Sequence, residues 1–275
     1  MAAGGLTNPF FVLEDGLGPQ TEPLGSRIAL VKKIGFDGMD LENEGPQSIP
    51  EMLKALDERG LKLFCQYLWV DISGKQTVYQ PGLEESVRLL KGRDTLIWLT
   101  IRGNGPDAEQ RAIEAARTVG DMAARSGLRV ALYPHFGLYV ARPEDAIRVA
   151  DKAGRGNLGV TFNLCHWLRV GGGENVQAVL QQAMPRLWAV TINGADHQGD
   201  WDRLIQPLDR GDFDIEGFLK VLVGLGYRGP IGLQCYGIQG NVEENLRRSM
   251  RAWREMSSRV AAVEPHAKSP AKTSE

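Results

Sequence analysis

Short apolar runs alternate with longer amphipathic stretches along almost the whole chain. The runs are FFVL from Phe10, GMDLE ending at Glu42, LKLFCQY at 61–67, TLIWLTI at 95–101, LRVALY at 128–133, LGVTFN at 158–163, LWAVTIN at 187–193 and PIGLQCY at 230–236. Each has the length and apolar content of a strand. Between and after them, helical patterns cover 22–33, 50–59, 83–90, 106–125, 143–152, 174–183, 215–225 and 242–256. Strict alternation of strand and helix predicts parallel strands joined by helical crossovers. The junctions repeat as well. IGFDGMDLE at 34–42 and LGYRGPIGLQ at 225–234 share one plan, in which one glycine ends a helix and a second starts a strand.

Eight strand–helix units in 275 residues fit a single (β/α)8 TIM barrel, which typically takes about 250 residues. The rival is a doubly wound open sheet, which carries a glycine-rich phosphate loop after an early strand. Neither GLGP from Gly16 nor GGG from Gly171 matches that loop, so the barrel is the expected fold. It is expected to occupy residues 9–257 as one domain, after a flexible N-terminus at 1–8. The end of the chain, 258–275, is rich in Pro, Ser and Lys with few large apolar groups, and is expected to be a disordered tail.

In a barrel, side chains alternate inward and outward along each strand, and the site lies at the strands' C-terminal ends. Reading each end on one parity selects Asp40 and Glu42, Gln66, Thr100 and Arg102, Tyr133 and His135, Asn163 with His166 and Trp167, Asn193 with Asp196 and His197, and Gln234 and Tyr236. Three of the four histidines follow successive strands; the fourth, His266, is in the tail. Singly, each of these polar residues reads as a loop or capping group, and Asn193 and Asp196 flank Gly194 as turn formers do. Jointly, they predict one polar cavity. Amides, imidazoles, a guanidinium and carboxylates suit a ligand rich in hydroxyls. Trp69, Trp98, Trp167 and Trp201 lie near strand ends, where an aromatic face suits a sugar ring as well as it suits packing.

Composition narrows the function classes. With 43% hydrophobic and 24% charged residues, the chain has the make-up of a soluble globular protein. A net charge of −2 argues against a phosphate-driven nucleic-acid partner. Cys65, Cys165 and Cys235 are widely spaced in strand-like runs and read as buried thiols in a reduced compartment. No apolar run is long enough to span a bilayer, and MAAGGLTNPFF lacks the basic and apolar regions of a signal peptide. A cytoplasmic location without a membrane partner is expected. The sequence carries no signature of oligomeric state.

GFDGMDLE (35–42), LYPHFG (132–137), GVTFNLCH (159–166) and PLDRGDFDIEGFLK (207–220), running into GYRGPIGLQCY (226–236), together resemble the xylose isomerase-like TIM-barrel superfamily. The resemblance extends from about Pro9 to Met256. It implies a sugar isomerase or epimerase acting by proton transfer next to a carbonyl, usually with one divalent metal. Its ligands are a Glu ending strand five, an Asp ending strand six with a His three residues on, a His on strand seven and a Glu on strand eight. Carried onto this chain, these positions hold Tyr133, Asn163 with His166 retained, Thr191 or Asn193, and Gln234. Hard divalent cations need anionic oxygen ligands, so no metal cofactor is expected. Glu42, His135 and His166 are then the expected catalytic groups. Gln66, Arg102, Tyr133, Trp167, Asn193, Asp196, His197 and Tyr236, with Asp40, Asn163 and Gln234, are the expected contacts to a small-molecule carbohydrate. One alternative retains a metal on His135, His166 and His197 with Glu42 or Asp196. Another is a non-catalytic carbohydrate-binding protein on a decayed isomerase scaffold.

Overall fold

The computed structural model describes residues 5–18, 23–42, 45–172 and 175–263. Its strands are β1 (Phe10–Val12), β2 (Gly38–Leu41), β3 (Lys62–Asp71), β4 (Val78–Tyr79), β5 (Leu96–Arg102), β6 (Arg129–Leu132), β7 (Leu158–Asn163), β8 (Leu187–Ile192) and β9 (Ile231–Leu233). They hydrogen-bond in the order β2-β1-β9-β8-β7-β6-β5-β3, and β3 pairs back onto β2. Eight parallel strands therefore close into a barrel, which leaves no unpaired edge in the ring. The short β4 lies outside this ring, antiparallel to the far end of β3.

The helices pack around the barrel as crossovers, among them α1 (Leu24–Ile34), α2 (Ile49–Asp57), α3 (Leu83–Leu89), α4 (Ala108–Arg125) and α5 (Pro143–Ala153). Then come α6 (Leu164–Arg169), α7 (Val176–Ala183), α8 (Trp201–Leu204), α9 (Ile215–Gly224) and α10 (Val242–Val263). The glycine junction expected before β2 is present. Gly35 ends α1 at φ 100°, and a Cβ on Gly38 would sit 1.9 Å from the Lys62 carbonyl oxygen. The first position favours glycine through its backbone angle, the second through the close approach of β3.

The core has two parts. The larger lies between strands and helices. The smaller fills the barrel, where Phe11 stacks on Phe64 at 4.8 Å and Trp98 meets Tyr133 at 4.8 Å. Along β2 and β3 the register runs Met39 with Leu63, then Asp40 with Cys65. That extra residue on β3 is a bulge, and it moves every later side chain of the strand to the opposite face. Tyr67 therefore joins the barrel interior, and Gln66 leaves the parity on which the sequence placed it.

Several elements differ from the sequence expectation. α6 follows β7 without a loop, and α8 and β4 lie in stretches read as connections. β9 ends at Leu233, with Gln234 N still donating to the Ile192 carbonyl at 2.9 Å, and the Gln234 side chain bonds its own chain, Oε1 accepting from Tyr236 N at 2.9 Å. α10 continues to Val263, anchored by the buried Val260, so 258–263 are helical, where a tail was expected. Near the other end, Asn8 is buried and donates to the Gly229 carbonyl at 2.8 Å. Residues 1–4 and 264–275, His266 among them, lie outside the described residues, as do the expected helix starts at 22 and 174. Cys65, Cys165 and Cys235 are buried and free. Among the described residues no helix is long and apolar enough to cross a membrane.

Candidate active site

A cavity of about 650 Å³ opens at the C-terminal ends of the barrel strands. One wall carries Tyr133 and His135, which follow β6, and His166 on α6. The facing wall carries Asp15, from the turn after β1, and Glu42, just past β2. β6 and β7 are the fifth and sixth strands of the ring, and β1 and β2 the first and second. In a ring of eight these pairs are diametrically opposed. Arg102, Tyr67, Trp201, Gln234 and Tyr236 complete the polar and aromatic lining, with Leu138 and Ile205. The Arg102 guanidinium lies 4.6 Å over the Trp69 ring.

The histidine wall is set by its neighbours. Asn163 ends β7 and N-caps α6, its Oδ1 accepting from His166 N at 3.4 Å and from the Cys165 thiol at 3.1 Å. Its Nδ2 donates to the Tyr133 hydroxyl. Asn163 is thus a buried cap that positions His166. The His135 and His166 rings lie 3.9 Å apart. His135 Nδ1 sits 2.8 Å from the Phe136 carbonyl oxygen, which can only accept. Nδ1 therefore carries the proton, and Nε2 is left basic. His166 Nδ1 lies 3.3 Å from the Phe136 amide, which can only donate. Here Nδ1 is the acceptor, and Nε2 carries the proton. The backbone N–H and carbonyl of one residue, Phe136, thus assign opposite tautomers to the two rings. Burial lowers both imidazoles: His135 below its ordinary value, with Arg102 adding to the effect, and His166 well below, with His135 adding. Both are neutral at pH 7.

The acidic wall rests on a buried ion pair. Glu14 Oε1 accepts from Arg27 Nη1 at 2.6 Å, and both side chains are buried. Glu14 Oε2 accepts from Glu42 N at 3.0 Å, and Glu14 N donates to Asp40 Oδ1 at 2.7 Å. This frame holds Glu42 and the Asp15 turn at the barrel mouth. Burial raises the Asp15 and Asp40 carboxyls well above the ordinary range, and the Glu42 carboxylate adds to both.

Asp40 lies under the cavity floor, fully buried, with Oδ2 unpartnered. A raised folded value contributes stability below the unfolded value, about 3.9, and that contribution disappears as pH climbs through the folded value. Asp40→Asn keeps the Oδ1 acceptor and cannot ionise. Its Tm is therefore expected to gain on the parent's as pH rises above the unfolded value, about 3.9, and through the folded one, read by thermal denaturation across pH. A gap that narrows with pH would contradict this.

Of the residues expected at the site, the structure gathers Glu42, Arg102, Tyr133, His135, His166, Gln234 and Tyr236 around one cavity. The others lie elsewhere. Gln66 is turned by the bulge, its Nε2 donating to the Glu42 carbonyl at 3.2 Å. Trp167 packs in the core against Phe162 and Phe213. Asn193 is buried and donates to the Gly194 and Leu204 carbonyls. Asp196 pairs with Arg203. His197 is exposed and bonded to Asp212 at 2.8 Å, so it does not join the other two histidines. Asp15, Tyr67, Leu138 and Ile205 line the cavity and were missed, while Trp201, one of the four tryptophans read as suited to a sugar ring or to packing, lines it too. Asp15 lies in a 3-10 turn past β1, where strand parity no longer directs a side chain, and the bulge decides Tyr67, so neither was legible.

The divalent metal implied by the resemblance does not fit these donors. Tyr133 and Asn163 are bonded to each other, burial raises the Tyr133 hydroxyl far above its ordinary range, and Gln234 Oε1 is taken by Tyr236 N. Among the described residues no group of three or more His, Cys, Asp or Glu side chains is placed to hold a metal ion. Restoring carboxylates with Asn163→Asp and Gln234→Glu adds anionic oxygens beside His166. The double variant is expected to bind Mn²⁺ more tightly than the parent in calorimetric titration. Equal affinities would show that these positions do not form the ligand set.

The chain matches the family described as xylose isomerase-like TIM barrel over residues 28–256, and it belongs to that family. A human protein provisionally named hydroxypyruvate isomerase is 21% identical over 255 residues, 83% of this chain and 89% of the relative. A 3-dehydroshikimate dehydratase of Pseudomonas putida is 22% identical over 233 residues, 78% of this chain. The chain spans only 36% of that dehydratase's length. Among solved structures, 3-keto-D-glucoside 4-epimerase from E. coli superposes with a TM-score of 0.73 at 16% identity, covering 90% of this chain and 99% of the epimerase.

Proposed function

We propose that this protein is an isomerase, epimerase or dehydrating lyase acting on a carbohydrate or keto-sugar by metal-independent proton transfer next to a carbonyl. The observation that carries the reading is the His135–His166 pair, its rings 3.9 Å apart and tilted by 40°, with opposite tautomers. His135 Nε2 takes the proton from the carbon beside the carbonyl. His166 Nε2–H donates to the carbonyl oxygen, giving an enediol. Arg102 stabilises negative charge developing on that oxygen. Glu42 and Asp15 stand on the opposite wall and serve the other face of the carbon. Return of the proton from there inverts the centre; loss of a neighbouring hydroxyl as water completes a dehydration. The names of the three relatives support the class, since each refers to a compound with a carbonyl next to a hydroxyl-bearing carbon.

Proton NMR in deuterated water tests the reading with hydroxypyruvate, 3-keto-D-glucosides and 2-ketohexoses. Enzyme-dependent loss of the signal beside the carbonyl is expected for at least one of them. A sugar-binding protein without catalysis is the second reading, favoured by the replaced ligand positions. Binding without exchange across the panel would establish it. Because burial lowers the His135 value, the base form survives acidification past the ordinary imidazole value, about 6.5. The acid limb of the exchange rate is therefore expected below that pH. A limb above it would remove His135 as the base.

A further inference from the structure

We propose that the mouth of the cavity is an outer subsite for the second ring of a glycoside, formed by Tyr236 and by Phe136 packed on Trp201. The inference rests on the reading of the cavity as a carbohydrate site. Among the described residues only Val78, Phe136 and Tyr236 are exposed large hydrophobic side chains, at 54%, 40% and 62%. Two of the three are at this mouth. Tyr236 lines the cavity. Phe136 directly follows His135 and meets Trp201 edge-on at 5.9 Å, and Trp201 in turn meets His166 at 5.5 Å.

The platform is braced. The Arg169 guanidinium lies 5.3 Å over Phe136 and 5.4 Å over Trp201. It is fixed by the Gly199 carbonyl at 3.0 Å and by Asp200 at 3.2 Å. Rings held in place by a charged partner lose little freedom when a ligand docks. An aromatic face beside polar groups suits the apolar C–H face of a sugar ring.

Space and charge agree. A cavity of about 650 Å³ equals some twenty waters at roughly 30 Å³ each. A single hexose has about twelve heavy atoms, each displacing no more than one such water, so it leaves room beside it. A sugar phosphate would fill that room too, but among the described residues Arg102 is the one guanidinium lining the cavity and the Glu42 carboxylate lines it as well, while Arg169 at the mouth is already engaged by Asp200. A neutral second ring fits better.

Calorimetric titration of the full chain with D-glucose, cellobiose, maltose and glucose 6-phosphate tests this. One of the two disaccharides is expected to bind more tightly than glucose. Tyr236→Ala and Phe136→Ala are each expected to cut the ratio of disaccharide to glucose affinity about three- to tenfold, the worth of one aromatic contact, and Tyr236→Phe to preserve it. Equal affinity for glucose and both disaccharides, tightest binding of the phosphate, or a ratio indifferent to both alanine changes would overturn the subsite. The exchange experiment separates the two ideas. Exchange without disaccharide preference sinks the subsite alone; disaccharide preference without exchange sinks proton transfer alone.

Discussion

His135→Gln is expected to lower proton exchange in a keto-sugar by about 10²- to 10⁴-fold, the usual worth of a positioned general base. The amide keeps hydrogen-bonding capacity near the Phe136 carbonyl but offers no basic nitrogen to the cavity. His135 is only partly buried, so the fold should tolerate the change, and an unaltered thermal transition is the control. His166→Gln should lower the rate as well, through loss of the proton donor at Nε2. Deuterium incorporation measured by NMR decides both. A His135→Gln protein that exchanges at the parent rate would transfer the base role to the opposite wall, where Glu42 and Asp15 stand.

Arg27→Met is expected to destabilise the protein by about 3–5 kcal/mol, the cost of breaking a buried pair by removing one partner. At ~2–4 °C per kcal/mol for a chain of this size, the transition should fall by roughly 6–20 °C. The cause is that Glu14 would remain buried without the guanidinium that faces it at 2.6 Å. The damage reaches the site, because Glu14 also holds the Glu42 backbone. Adding Glu14→Gln to Arg27→Met should recover a large part of the lost stability, since an amide can stay buried uncharged. Chemical denaturation of the parent, the single variant and the double variant closes the cycle. A single variant within 1 kcal/mol of the parent, the range of a surface pair, would mean that the pair does not brace this corner.

Both predictions depend on residues that differ in how readily they are read from the chain. His135, His166 and Glu42 lie just past the C-terminal ends of their strands, where a barrel keeps its site, and that placement exposes them. Glu14 and Arg27 form their pair across the junction between β1 and α1, and nothing in their spacing marks it. Leu138 and Ile205 come from connections, the one after β6 and the one after β8. Loops lack the periodicity that gives a strand position its direction, so their approach to the cavity was not legible.

The order of strands and helices, the closed parallel barrel and the polar end of that barrel were all present in the sequence. Each follows from local period and from the rule that crossovers bury both faces of a parallel sheet. That the resemblance puts Tyr133, Asn163 and Gln234 at positions where it implies carboxylates was equally readable from the chain, since it is a matter of residue identity. Which side chains reach the cavity was decided in three dimensions. A single extra residue on β3 exchanged Gln66 for Tyr67, because strand parity has period two and one inserted residue inverts it. The same holds for the two histidine tautomers. They depend on where the two peptide units flanking the Phe136 Cα point their N–H and their carbonyl, and a backbone group has the same chemistry in every sequence until the fold aims it.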